Sequence, residues 1–222
     1  MGIILGTLHL QEKNQQEAAL FRELSFAKQR IQSRFANNLD ALTTINLEVS
    51  ASEDQVKLKQ ITREQAEELV ANNHEIIRIL WLNNHSQRPW VAPAETSKTD
   101  WISKTHNDQL VNASLASTIE LSRATNRAAF SEFISLNLPN NDPIFTKRKI
   151  VFWQVVPNIV SGEIVDYLAA LYTTQGILDI IPGELKSYYG FTRIADNEKV
   201  LAIPSDKRTE SLAIRLVWIS GF

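Results

Sequence analysis

Residues Lys149–Gly190, KIVFWQVVPNIVSGEIVDYLAALYTTQGILDIIPGELKSYYG, decide the fold. Ile150–Val156 is a β-branched and aromatic run that reads as a buried strand. Pro157-Asn158 and Ser161-Gly162 bracket a short turn, and Ile164–Tyr172 is a second apolar run of similar length. The pair predicts an antiparallel hairpin near the middle of a sheet. Thr173–Ile181 follows at helical spacing (Ile177, Leu178, Ile181), and Pro182-Gly183 stops it. The chain upstream must then supply what covers the sheet.

It does so with a long helix. From Gln11 to Val49 there is neither Pro nor Gly, and apolar residues recur at Leu20, Leu24, Ala27, Ile31, Phe35, Leu39, Leu42, Ile45 and Val49. Steps of three and four draw one stripe along an amphipathic helix. About 39 residues at ~1.5 Å each approach 60 Å, longer than a small domain is wide. The distal half is expected to pack on the core, and the Gln- and Lys-rich proximal half to act as a stalk or homodimer seam. Met1–Leu10 is apolar but well short of the ~20 residues that cross a bilayer. It reads as the end of a trimmed transmembrane helix or as an apolar N-terminal turn.

Between the helix and the hairpin, Ser50–Asp54 breaks the pattern, and Thr62-Arg-Glu-Gln65 has the form of a capping box before a short helix at Ala66–Ala71. Glu75–Leu82 (EIIRILWL) and Gln87–Ala92 read as strands, the second an edge strand because of Pro89 and Pro93. Asn107-Asp108 caps a helix through about Ser122, Ala128–Leu136 is a third strand, and Leu138–Phe145 a loop. The expected class is α+β: a long N-terminal helix on a five-stranded antiparallel sheet with a helical crossover. Residues 11–187 form that domain. Residues 188–222 carry three short strand candidates, an add-on or the start of a truncated second domain.

Composition removes several functions. With 23 basic and 25 acidic residues and no basic run, there is no electrostatic footprint for nucleic acid. No cysteine means no disulfide, thiolate metal site or cysteine nucleophile. The four histidines, His9, His74, His85 and His106, never fall at i, i+3 or i+4, which leaves no metal site. Seven glycines form no phosphate-binding loop, and no G-x-S-x-G occurs. No catalytic set, metal or cofactor is expected in this chain.

Asn73–Asn83 (NHEIIRILWLN), Val155-Val156-Pro157, the strand-to-helix run Tyr167–Leu178, and the tail Tyr188-Tyr189-Gly190-Phe191 through Asn197 and Val200-Leu201-Ala202 occur in one order. Together they resemble the extracytoplasmic Cache (PDC, PAS-like) sensor domains of bacterial sensor histidine kinases, over roughly residues 11–205. The tail departs at Asp196-Asn197-Glu198, where the family commonly has Gly. The resemblance implies a periplasmic ligand-sensing domain of an inner-membrane protein, with any kinase activity in other sequence. Diguanylate cyclases, chemoreceptors and stand-alone binding proteins are the alternatives. It also implies a pocket on the sheet face opposite the long helix.

Candidate pocket residues are Trp101, Arg123, Ser131, Glu132, Gln154 and Tyr167, for an unknown small molecule or a periplasmic protein. In related amino-acid sensors an Asp at the end of the second hairpin strand meets the ligand amine. The matching position here is Leu171, which implies a ligand not held by its amine. Strict alternation puts Val165, Tyr167, Ala169 and Leu171 on one face. Asp166, near the turn, is expected in solvent, and Trp81, Trp90 and Trp153 are expected to serve packing.

Overall fold

The computed structural model describes residues 2–51, 55–83, 90–93, 107–137, 148–181, 189–192, 200–202 and 214–217. In chain order the elements are α1 (Gly2–Ala51), α2 (Gln55–Asn72), β1 (Ile76–Asn83), β2 (Trp90–Ala92), α3 (Asn107–Thr125), β3 (Ala129–Phe130), β4 (Ile134–Asn137), β5 (Arg148–Val160), β6 (Glu163–Thr173), α4 (Thr174–Asp179), β7 (Tyr189–Thr192), β8 (Val200–Ala202) and β9 (Ile214–Val217). The class is α+β. The main sheet runs β2-β1-β6-β5-β3, with β4 also paired to β5, and every pairing is antiparallel.

The hairpin of β5 and β6 is central, as the apolar runs require, but it is longer than the runs alone indicate. Pro157 and Asn158 belong to β5, opposite Tyr167 and Asp166. They do not begin the turn. Pro157 lies beyond the reach of β3, whose pairing ends at Ala129 opposite Val155, so a missing N–H breaks no ladder there. The turn itself is Ser161-Gly162, with φ of 54° and 86°. Positive φ at both central residues is what a two-residue hairpin needs to match the strand twist.

The expected third strand is two strands. Ser131 donates its N–H to Trp153 O (2.9 Å), and its Oγ accepts from Trp153 N (2.8 Å). A side-chain rung replaces a backbone rung, and the ladder resumes at Ile134 opposite Val151.

Two apolar layers hold the sheet. On one face, α1 lays down Ala27, Ile31, Phe35, Leu42 and Ile45 over Phe152, Val156, Leu168, Ala170 and Tyr172. Phe35, Phe152 and Tyr172 meet ring to ring at 5.2–6.2 Å, with Phe152 and Tyr172 stacked at 12°. Burying each such side chain contributes roughly 1.5–3 kcal/mol. On the other face, Val111, Leu115 and Ile119 of α3 cover Leu80, Leu82, Trp153, Val155, Tyr167 and Leu171. Asn126, at φ 52°, ends α3 in the left-handed position that follows a helix.

The helices also differ from the sequence pattern. Helix α1 is continuous from Gly2, so residues 2–10 are its first turns. Helix α2 starts at Gln55, which places Thr62 in mid-helix and fully buried. Thr62 to Gln65 is therefore not a cap. Gln65 instead donates to Glu48 Oε2 on α1 at 2.7 Å, and Arg63 pairs with Glu67 one turn on. The tail strands form a sheet of their own, β8-β7-β9, in which β7 and β9 run parallel. Among the described residues, no helix is long and apolar enough to cross a membrane.

Candidate functional site

Strand β6 has one extra residue near its start. Asn158 pairs with Asp166 but Ile159 pairs with Ile164, so Val165 bulges out of register. Strict alternation fails there. Val165 is exposed, and Ile164 packs with the α3 face in its stead. A second bulge in β1 falls at Ile77, between Ile76 opposite Tyr172 and Arg78 opposite Leu171. That shift turns Arg78 to the α3 face with Leu80 and Leu82, where it is only 8% exposed.

The α3 face is thus an apolar floor that carries Tyr167, Arg123 and Arg78. Tyr167 is buried, and its hydroxyl accepts from Arg123 Nε at 3.2 Å. Arg123 also pairs with Glu120 at 2.6 Å. The interaction with the Tyr167 hydroxyl raises the Arg123 pKa and the Glu120 carboxylate adds to it, against burial that lowers it, so this group is a fixed cation. Arg78 is the other cation. Trp153 donates its indole N–H to Val111 O at 2.9 Å and pins the start of α3 to the strands beneath. Among the described residues of this face there is no buried carboxylate. No group of three or more His, Asp or Glu among the described residues could hold a metal ion.

Of the six predicted pocket residues, the structure brings Tyr167 and Arg123 together. Gln154 does not join them. It lies on the α1 face, fully buried, with Oε1 accepting from Tyr172 at 2.7 Å. Ser131 serves the sheet edge, with its hydroxyl donating to Glu132 O, and Glu132 is exposed. Trp101 lies outside the described residues. Leu171, at the strand end, is fully buried opposite Arg78. Trp81, Trp90 and Trp153 are all buried, the first two against each other at 6.3 Å. Arg78 was missed, although one cation inside the apolar run Ile76–Leu82 is a signal that the sequence carries.

Asp166 is a further correction. It is 7% exposed on the α1 side, beside Asn158 and Trp81, not in solvent. Burial pushes its carboxyl pKa up, against the nearby polar groups of Asn158 and Trp81, which lower it. Asn158 and Asn46 clasp each other's strands and helix: Asn158 Nδ2 donates to Asn46 O (2.9 Å), and Asn46 Nδ2 to Val156 O (3.2 Å). Nearer the middle of α1, Arg34 Nε and Asn38 Nδ2 donate to buried Glu75 in the turn before β1, both at 2.9 Å, and Arg34 also donates to Asn72 O. These polar ties fix α1 against an otherwise apolar layer.

No protein-family model matches the sequence, and no curated protein is significantly similar to it. Solved structures do match its shape. The ligand-binding domain of the Pseudomonas aeruginosa amino acid chemoreceptor PctB, in complex with L-Arg, superposes with a TM-score of 0.50 at 13% identity, over 83% of this chain and 69% of that one. The corresponding domain of the chemoreceptor PctC with GABA gives 0.49 at 12% identity, over 82% and 74%. An extracellular ligand binding receptor from Desulfohalobium retbaense gives 0.49 at 13% identity, over 73% of this chain but 26% of that one. At such identities the likeness concerns architecture, and the PctB comparison supports it. With its long helix on one face of the antiparallel sheet and its crossover helix on the other, the chain has the fold of the Cache (PDC) ligand-binding domains.

Proposed function

We propose that this chain is the extracytoplasmic signal-sensing domain of a membrane-bound sensor histidine kinase, without catalytic activity of its own. The observation that carries the reading is the pair of unlike sheet faces. The α1 face is closed by a helix that runs far past the sheet, whereas the α3 face presents Arg78 and the Arg123–Tyr167 pair on an apolar floor. A ligand on the α3 face biases the packing of β6, whose alternate residues Leu168, Ala170 and Tyr172 bear α1. The signal is a population shift between two seatings of that helix.

Two cations and no buried carboxylate favour a ligand with an anionic group. Arg78 can hold it while engaged elsewhere, because a guanidinium has five donors. Leu171 in place of an acid fits a ligand not gripped through an amine. A thermal-shift screen of the chain against small carboxylates tests this. A ligand that raises Tm in the wild type should lose its effect in Tyr167→Phe and Arg123→Ala. Equal shifts in all three would remove the α3 face from consideration.

The likeness to the PctB ligand-binding domain favours a second reading for the output, a chemoreceptor. The parent gene beyond Phe222 decides between them. A dimerisation helix with a phosphoacceptor His supports the kinase, and a long coiled coil the chemoreceptor. In either case exposed Phe21 and Phe26 on α1 offer apolar surface to a second copy, and sedimentation of the chain checks it.

A further inference from the structure

On the α1 side, Arg30, Ser33, Arg34 and Asn37 recur at i, i+3, i+4 and i+7, so they share one stripe of the helix beside the core stripe. The stripe walls a cleft of about 440 Å³ whose far side is the turn before β1, with His74 and Glu75, and the helix α4, with Gly176 and Asp179. The cleft is remote from the α3 face, because the sheet lies between them. Its shape is fixed by close packing. A Cβ on Gly176 would stand 2.4 Å from Glu75 Cα and 2.6 Å from His74 O, so α4 and the turn are in backbone contact.

The charges in the cleft are unevenly spent. Arg34 and Glu75 are committed to each other at 2.9 Å, and Asp179 is engaged in an interaction of its own. Among the described residues, the side chains of Arg30, Ser33, Asn37 and His74 have no hydrogen-bond or ion-pair partner, although all line the cleft. Arg30 stands on the helix wall and His74 on the opposite one. We propose that the cleft is a second binding site, for a small dicarboxylate spanning Arg30 and His74. A guanidinium suits a carboxylate geometrically, and Ser33 and Asn37 add neutral donors beside it. The volume falls in the range of small-molecule sites, roughly 300–1,000 Å³, and is far more than a lone inorganic phosphate fills. A ligand that spans the walls ties α1 to the turn before β1, in parallel with the Arg34–Glu75 pair. It therefore acts on the seating of α1 without touching the α3 face.

Isothermal titration of the 222-residue chain with glutarate tests the site. The expected result is saturable one-to-one binding, weakened at least tenfold in Arg30→Ala and in His74→Ala. Arg22→Ala removes a like charge from an exposed position on the same helix and should leave binding unchanged. Inorganic phosphate should compete weakly. Absence of saturable heat at millimolar glutarate overturns the proposal. So does an equal loss in Arg22→Ala, binding that survives Arg30→Ala, or phosphate competing as well as glutarate. Repeating the titrations in the Tyr167→Phe/Arg123→Ala background removes any contribution of the α3 face, so that each outcome reports on the cleft alone.

Discussion

Tyr172 on β6 donates its hydroxyl to Gln154 Oε1 on β5 at 2.7 Å, in the middle of the layer that α1 covers. Gln154 Nε2, by contrast, is buried with no partner among the described residues. Tyr172→Phe leaves the amide without any hydrogen bond, and the expected loss is about 1–3 kcal/mol in urea denaturation. Burial, with Glu75's negative charge adding to it, pushes the Tyr172 pKa far up, against an Asn38 hydrogen bond and the Arg34 charge that lower it. A folded pKa above the unfolded one means full stability below about pH 10 and progressive loss above it. The gap between wild type and Tyr172→Phe should therefore narrow as pH passes 10.

Glu75 is the anchor of the second tie. Removing it as Glu75→Ala strands the Asn38 amide in the core and frees Arg34, whose side chain is 38% exposed and easily rehydrated. The expected cost is about 2–4 kcal/mol, with Arg34→Ala costing less because Asn38 still serves the carboxylate. Hydrogen exchange should show the loss concentrated along α1 around Asn38. Uniform exchange along the helix would contradict that localisation.

Gly176→Ala pits helix propensity against contact. Alanine is favoured over glycine by about 1 kcal/mol inside a helix. Here the added methyl meets the Glu75 and His74 backbone at 2.4–2.8 Å, and backbone cannot rotate aside. Overpacking of this kind costs about 1–3 kcal/mol. A net fall in thermal stability is expected, and a rise would mean that α4 shifts freely.

Asp166→Asn should stabilise the chain at neutral pH, on the order of 1 kcal/mol, because it removes a buried charge while keeping an oxygen for Asn158 and Trp81. The raised folded pKa sets the sign. Asp166 favours folding below about pH 4, where it is protonated in both states, and that contribution is lost as pH rises through the folded value. The variant's advantage in urea midpoint should shrink between pH 7 and pH 4.

The elements were legible where local pattern decides them. Apolar runs marked β1, β5 and β6, and the stripe from Ala27 to Ile45 marked the part of α1 that packs. The orientation of side chains was less legible, because single-residue bulges at Ile77 and Val165 reverse faces and leave no trace in periodicity. Arg78 was missed for that reason, whereas Gln154 sits in the regular part of β5 and takes its face from its pairing with Ala170. The polar ties were invisible for another. Asn46 and Val156 are 110 positions apart, and only tertiary packing brings them together. Thr62-Arg-Glu-Gln65 matched a capping pattern, but contacts of α2 with α1 carried the helix through it.

Among the described side chains, α1 reaches the core from Ala27 onward, 25 residues past its start at Gly2. At ~1.5 Å per residue this is a lever arm of about 38 Å. Measured from the Asn38 and Asn46 ties the arm is about 54–66 Å, so a tilt of about 5° there would sweep the far end by about 5–6 Å, close to one helical turn. The fulcrum is a handful of polar bonds, so small rearrangements there are mechanically magnified before they leave the domain.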